Sequence, residues 1–177
     1  AAASPRAQFD CERLPGTQLA PLSPQRAGSA EARATTTYRS VTLITDAATR
    51  VAELIVRGPS EHETPPASSA DLRRSGDEEP WLLRAFRELD DAILDVRFNH
   101  PKIGLVVIKT EGSIDRVLAH DAALFALEHA GDWLAREIRL KQRRVLKRLD
   151  VTSRSMFAVI DEGSCFAGPL LELALAS

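Results

Sequence analysis

The chain has little of what marks several large protein classes. It holds two cysteines, Cys11 and Cys165, which are too few for a disulfide framework and are expected to be free thiols. It has no basic surplus, since 23 Lys and Arg against 25 Asp and Glu give a net charge of −2, and nucleic-acid binders usually carry excess positive charge. No apolar run approaches the roughly 20 residues of a membrane helix, and the Ala-rich start lacks the apolar core of a secretion signal. The sequence predicts a cytoplasmic protein with neither a nucleic acid nor a membrane as partner.

Metal-binding patterns are also missing. The chain has four histidines, His62, His100, His120 and His129, and none is spaced from another as metal ligands on one helix face or in one loop usually are. We therefore predict no metal site.

The two ends of the chain differ in character. Residues 1–37 are rich in Pro and Ala and have the period of neither a helix nor a strand, which predicts an extended linker. At the other end the chain stops at Ser177, shortly after an apolar segment, and it begins at Ala1 without Met. These ends suggest a fragment, with residues 1–37 as an inter-domain linker and 38–177 as the N-terminal part of a domain.

Hydrophobic periodicity divides the domain into regular elements. Residues 38–57 alternate about a turn and predict a β-hairpin, and the Pro- and acid-rich residues 58–80 predict a mobile excursion. Later segments have either helical period or the continuous apolar run of a strand covered on both faces, and are predicted as helix 81–97, strand 103–109, helix 114–129, helix 132–149 and strand 156–160. A right-handed crossover would place the last two strands parallel, giving an α/β fold.

The segment after the last strand is the most informative. An apolar strand runs into the small-residue turn Gly163-Ser-Cys-Phe-Ala-Gly168, and Leu-Glu-Leu-Ala then opens a helix from Leu171. A turn of this kind can aim backbone N–H groups at a negative group. It is also ordinary helix-start structure, with Pro169 at a first helical position.

This turn, read together with the segments before it, resembles the crotonase (enoyl-CoA hydratase/isomerase) superfamily. The resemblance covers residues 38–177, and its most specific segments, in order, are Gly104-Leu-Val-Val-Ile-Lys-Thr-Glu-Gly112, Trp133-Leu-Ala-Arg-Glu137, Arg144-Val-Leu-Lys-Arg-Leu-Asp150 and the Gly163–Gly168 turn. The resemblance implies an incomplete crotonase-like (ClpP/crotonase) β-β-α spiral, preceded by the Pro/Ala-rich extended linker.

Within the superfamily, the motifs resemble those of a ring-opening lyase that has two crotonase-like units in tandem. Phe9-Asp-Cys11 and the Pro-rich stretch after it are similar to the connector between the units, so this chain would be the connector and the first part of the second unit. The implied activity is that of a carbon–carbon lyase of aerobic benzoate degradation, which opens 2,3-epoxybenzoyl-CoA with water to 3,4-dehydroadipyl-CoA semialdehyde and formate. The resemblance implies an acyl-CoA substrate, no cofactor, and a parent protein that forms a homo-oligomer.

The same resemblance implies an oxyanion hole of two backbone N–H donors. The first donor follows Ala-Gly in an Ala-Gly-x-Asp loop, and the matching Leu118-Ala119-His120-Asp121 makes His120 the candidate, with Ala119 in place of the glycine. The same segment fits the interior of a helix equally well. The second position falls on Pro169, which has no N–H, so Gly168 or Leu170 would have to supply the donor.

Two side chains of the turn region have a chemical and a structural interpretation. Glu172 matches the acid/base glutamate of hydratases in the superfamily, and it could equally be a helix-start carboxylate that complements the dipole. Cys165, in the loop with Gly163 and Ser164, could be a nucleophile activated by a helix N-terminus or a small residue that packs the loop.

A basic run also has two interpretations. It could attract the phosphates of CoA or be a solvated helix face, and it consists of Arg139, Lys141, Arg143, Arg144, Lys147 and Arg148.

Two functional classes remain open from the sequence. The segment could contribute to a CoA-thioester lyase or to an enoyl-CoA hydratase/isomerase-type enzyme. It could also be a non-catalytic scaffold or dimerisation unit, an alternative favoured by Pro169 and Ala119. In either case we expect the chain by itself to be inactive.

Overall fold

Six strands form one mixed sheet in a computed structural model that describes residues 17–177. In chain order they are β1 (Gln25–Gly28), β2 (Arg33–Thr37), β3 (Val41–Asp46), β4 (Val51–Arg57), β5 (Leu105–Glu111) and β6 (Ser155–Ala158). Five α-helices accompany them, namely α1 (Ser69–Leu72), α2 (Trp81–Asn99), α3 (Ile114–His129), α4 (Trp133–Asp150) and α5 (Leu171–Leu175). Short 3₁₀ turns span Gly76–Glu78 and Gly168–Leu170. Cys11 and the first part of the predicted linker lie outside the described residues.

The sheet follows chain order from β1 to β6. Neighbours are antiparallel as far as β4, and β4, β5 and β6 are then parallel to one another. The predicted hairpin is confirmed as β3 and β4, whose turn is fixed by Asp46 Oδ1 accepting from the Ala48 and Thr49 N–H groups at 2.9 and 3.1 Å. The predicted parallel pairing of the two later strands is also confirmed.

The segment before the hairpin differs from the sequence prediction. Residues 25–37, expected to be part of an extended linker, form β1 and β2, and β2 pairs with β3 along its whole length. The run Ala34-Thr-Thr-Thr37 contains β-branched residues that suit a pleated strand, although it lacks the apolar alternation that marks a strand in a sequence. The division into linker and domain at residue 37 stays a prediction.

Within residues 17–177, the parallel strands β4 and β5 have one buried face and one partly exposed face. Burial alternates along β4 and β5, with Leu54, Val56 and Ile108 buried and the residues between them partly exposed. On the second face Lys109 Nζ pairs with Glu53 Oε2 at 3.0 Å. The prediction that the strand at 103–109 is covered on both faces is therefore wrong for the described residues, because its apolar run ends in a charged pair that faces solvent.

The predicted helix at 81–97 is confirmed as α2, which packs on β3 and β4. It buries Trp81, Phe86 and Leu89, and it ends at Asn99, where His100-Pro101 pushes the chain out of the α region. Helix α4 lies against α2, and Asp90 of α2 receives Lys141 Nζ and Arg148 Nε of α4, each at 2.5 Å. These two cations of the basic run thus hold the helices together.

The segment predicted as a mobile excursion, 58–80, contains regular structure. Helix α1 begins with a capping box in which the Ser68 side chain accepts from the Asp71 N–H and the Asp71 carboxylate accepts from the Ser68 N–H. Upstream, the Glu63 carboxylate accepts from the Ser60 N–H at 2.9 Å and pairs with Arg84 of α2. These contacts fasten the segment to the helix layer.

The last two long helices match their predicted ranges closely. Ser113 and Asp132 act as the N-caps of α3 and α4, with the Asp132 carboxylate accepting from the Leu134 and Ala135 N–H groups. Throughout residues 17–177, no helix has both the length and the hydropathy needed to cross a membrane.

Candidate functional site

A cavity of about 420 Å³ lies between α3, α4 and the turn that opens α5. That volume is within the range of small-molecule sites. Its lining comes from all three elements and consists of Asp121, Arg139, Gln142, Arg143, Leu146, Gly168, Pro169 and Glu172. Two residues predicted from the sequence as site residues, Gly168 and Glu172, therefore share one cavity.

The turn Gly168–Leu170 shapes one wall of this cavity. Gly168 has φ +49, a left-handed conformation that favours glycine, and a Cβ built there would lie 3.2 Å from Asp121 Oδ2. The Leu170 N–H donates to the Ala167 carbonyl at 3.0 Å, while no backbone carbonyl within residues 17–177 pairs with the Gly168 N–H. Of the two donors predicted for this turn, Gly168 is thus the one that the structure leaves open.

His120 is placed differently from the prediction. It lies inside α3, where each backbone N–H bonds to the carbonyl four residues earlier, so its N–H is not free for an oxyanion. Its buried imidazole lies outside the cavity lining, with Nε2 3.1 Å from the Glu63 carbonyl and the ring edge-on to Trp81. Desolvation lowers the pKa of His120 below its ordinary value. The Leu-Ala-His-Asp segment is helix here and not an oxyanion loop.

The next residue, Asp121, lies in the cavity wall. Its carboxylate packs against Gly168 and pairs with Arg139 of α4 at 3.4 Å. Arg139 is itself held by Glu128 at 2.9 Å and lies 5.5 Å from the centre of the Phe125 ring. The Asp121 carboxylate is thus positioned by the Arg139 guanidinium, which Glu128 and the Phe125 ring hold in turn.

Two polar residues of α4 complete this wall. Gln142 is only 4% exposed, and its Nε2 has no hydrogen-bond partner in the described part of the chain. Arg143 is exposed and forms no ion pair within residues 17–177. An unpaired buried amide costs about 1–3 kcal/mol, so it marks a place where a ligand or ordered water would be favourable.

Glu172 also lines the cavity, from the first turn of the short helix α5. It is exposed and has no ion-pair partner among the described residues. Its neighbours in the cavity lining include the polar residues Arg139 and Gln142. Its place on the cavity suits an acid/base role, and its exposure also suits a helix-start carboxylate.

The loop ahead of the turn has mainly a packing role. Cys165 is fully buried, its N–H donates to Thr110 Oγ1 at 2.9 Å, and its Sγ lies close to Gly58 and Gly112. Burial raises the pKa of the Cys165 thiol, which disfavours a thiolate nucleophile. Before it, the Gly163 carbonyl accepts from the Gly112 N–H and Ser164 Oγ bonds to Asp161. These residues close the loop and do not line the cavity.

No group of three or more His, Cys, Asp and Glu within residues 17–177 is arranged to hold a metal ion. The cavity offers carboxylates, a guanidinium and amides, which can transfer protons and donate hydrogen bonds.

Asp121 and Gln142 were not predicted as site residues. The i, i+3, i+4, i+7 spacing of Arg139, Gln142, Arg143 and Leu146 places Gln142 on one helix face, but it does not show that this face lines a cavity. Asp121 is the last residue of the Leu118-Ala119-His120-Asp121 segment, of which only His120 was predicted as a site residue.

Comparison with known proteins finds a relative of this chain. Over 140 residues, or 79% of its length, the chain is 43% identical to benzoyl-CoA-dihydrodiol lyase of Aromatoleum evansii. The chain is a homologue of part of this lyase. It spans 24% of the length of the lyase, about a quarter, so the similarity concerns a segment of that protein. No family model matches the chain. The similarity to the lyase confirms the resemblance stated from the sequence motifs.

Proposed function

We propose that the chain is a segment of a carbon–carbon lyase of aerobic benzoate degradation. The reaction is the hydrolytic ring opening of 2,3-epoxybenzoyl-CoA to 3,4-dehydroadipyl-CoA semialdehyde and formate. The observation that carries the proposal is the 43% identity to benzoyl-CoA-dihydrodiol lyase over 140 residues. In this proposal the protein is cytoplasmic, acts as a homo-oligomer on an acyl-CoA substrate and needs no cofactor.

The fold supports a crotonase-like unit. A hairpin, a helix, a parallel strand, two helices and a second parallel strand follow one another, and each parallel strand joins the sheet beside its predecessor. We propose that this arrangement is the first part of a β-β-α spiral, in the second of two tandem units.

The chemistry proposed for the cavity follows from its lining. Ring opening of a CoA thioester with water needs a proton-transfer group and a donor for the thioester oxygen as it becomes negative. Glu172 is the candidate for the first task and the Gly168 N–H for the second. The basic residue Arg143 is free to meet a negative group at the rim.

A non-catalytic scaffold or dimerisation unit is the second candidate. The His120 N–H is used within α3, the Leu170 N–H donates to the Ala167 carbonyl, and Pro169 has no N–H. These three observations favour the scaffold, because they leave one possible oxyanion donor where the superfamily pattern has two. In that case the chemistry would reside in another part of the lyase.

The deciding experiment replaces Glu172 with Gln in the intact protein that carries the segment. If the segment is catalytic, ring opening of 2,3-epoxybenzoyl-CoA should slow about 10²-fold or more with folding unchanged, because Gln keeps the shape but cannot transfer a proton. Glu162→Gln is the matched control, since Glu162 is an exposed carboxylate outside the cavity.

Turnover equal to wild type in Glu172→Gln would favour the scaffold. A wild-type protein that hydrates crotonyl-CoA and leaves the epoxide intact would instead identify an enoyl-CoA hydratase-type enzyme. The isolated chain should be inactive in both assays.

A further inference from the structure

In the Leu118-Ala119-His120-Asp121 segment of α3, the side chains of His120 and Asp121 point in different directions. His120 turns toward Glu63 and Trp81, while Asp121 turns toward the cavity and contacts Gly168. Because the segment is helical, its backbone N–H groups are used within the helix. What it can offer a ligand in the cavity is the side chain of Asp121.

We propose that Asp121 is a second acid/base carboxylate of this cavity, acting together with Glu172. The inference rests on the proposed function, since it assigns a further residue to the same reaction. In this assignment Asp121 and Glu172 approach the ligand from α3 and α5, with the Gly168 turn between them. As the water oxygen forms a bond to a ring carbon, the carbon–oxygen bond of the epoxide breaks. One carboxylate accepts the proton that the water loses, and the other group, protonated beforehand, donates its proton to the released epoxide oxygen, so the number of protons is conserved.

Three observations support Asp121 over other acidic residues of the described chain. It lines the cavity, it packs against Gly168, and its buried Oδ1 forms an ion pair with Arg139 at 3.4 Å that does not meet hydrogen-bond geometry. A fixed and incompletely satisfied carboxylate is what a general base requires, since a carboxylate with every lone pair occupied is a poor proton acceptor.

The buried Gln142 amide gives independent evidence that the cavity receives a ligand. It is 4% exposed, it lines the same cavity, and its Nε2 has no partner within residues 17–177. A ligand acceptor in this cavity would supply the partner that the amide lacks.

The charged groups around Asp121 determine how a pH profile would respond. Glu128 lies behind Arg139 on the same helix as Asp121, Arg139 and Arg143 face it from α4, and Glu172 faces it from α5. If Asp121 is the base of the reaction, its protonation stops the reaction, and we therefore expect it to contribute the acidic limb of kcat/KM.

The test uses Asp121→Asn, Asp121→Glu and Arg139→Gln in the intact protein, with 2,3-epoxybenzoyl-CoA as substrate. We expect Asp121→Asn to lower kcat about 10²-fold and to remove the acidic limb, and Asp121→Glu to recover part of the rate with that limb displaced. Arg139→Gln should be milder, because the carboxylate remains. Asp115→Asn is the control, as Asp115 is exposed on the same helix and outside the cavity.

Two results would overturn the assignment. One is an Asp121→Asn rate within threefold of wild type. The other is a loss in Arg139→Gln equal to that in Asp121→Asn with an unchanged pH profile, which would show that Asp121 only holds the ion pair. If Asp121→Asn does not fold, Asp121→Glu decides the matter through the position of its acidic limb. A wild-type protein without ring-opening activity would refute the proposed function itself, which is a separate outcome.

Discussion

Asp90 offers the sharpest test of how the helix layer is held together. Its carboxylate is 10% exposed and receives two cations from α4, Lys141 and Arg148, each at 2.5 Å. Asp90→Asn keeps the shape and removes the charge, so both cations lose their partner at the α2–α4 interface. The variant therefore measures what this carboxylate contributes to folding.

The expected loss in the free energy of unfolding follows from how deeply Asp90 and its two cations are buried. Breaking a fully buried pair costs about 3–5 kcal/mol, because a charge is left without a partner or water. Here Lys141 and Arg148 are 27% and 39% exposed, so each regains some hydration, and exposed pairs contribute about 0–1 kcal/mol. We expect an intermediate loss of about 2 kcal/mol, equivalent to a fall in Tm of about 4–8 °C for a chain of this size.

Urea unfolding is the appropriate assay. The midpoint should fall while the slope m stays unchanged, since the amount of surface exposed on unfolding is the same. The difference from wild type should shrink in about 1 M salt, which screens the partly exposed cations. Glu137→Gln, on the exposed side of α4, should change stability by less than about 0.5 kcal/mol. A loss in Asp90→Asn no larger than in this control would refute the view that Asp90 joins the two helices.

Two further predictions concern the cavity wall and the far side of α3. Gly168→Ala should lower the free energy of unfolding by about 1–2 kcal/mol in thermal unfolding, because it combines a positive φ with a Cβ 3.2 Å from Asp121 Oδ2. Gly163→Ala also has a positive φ, but its Cβ would meet open space, so it should cost less. Equal losses in the two variants would contradict the contact with Asp121. Burial lowers the folded-state pKa of His120, so the stability it contributes is present above about pH 6.5, the unfolded value, and is lost as pH falls through the folded pKa. Stability measured between pH 7 and 5 should therefore fall less in His120→Gln than in wild type. A wild-type slope in His120→Gln would count against the buried imidazole as its source.

Much of the fold could be predicted from apolar periodicity. The hairpin, α2, α3, α4 and the parallel pair β5 and β6 follow from patterns that burial dictates directly. Strand β2 could not be found in this way, because Thr35, Thr36 and Thr37 enter the sheet through pairing with β3 and not through an apolar face of their own. The second face of β5 was also predicted wrongly, since the apolar run continues into Lys109, which pairs with Glu53 on that partly exposed face.

The site was less predictable than the fold. Gly168 and Glu172 lie on the cavity because the turn and helix that carry them could be recognised from the sequence. Asp121 and Gln142 join them through the packing of α3 and α4, which a pattern within either helix does not specify. The resemblance made the His120 N–H an oxyanion donor. The segment is helical, however, so this N–H forms a hydrogen bond within α3.

The strand order has a consequence for how this sheet can be assembled and lengthened. Every strand pairs with the strand before it in the chain, so the sheet can grow in the order of synthesis without inserting a strand between two formed neighbours. The slow steps should be the two parallel pairings, which close the loops 58–104 and 112–154, while the antiparallel part needs only short turns. Growth of this kind leaves the newest strand, β6, at the rim, where a further strand could be added without disturbing any earlier pair.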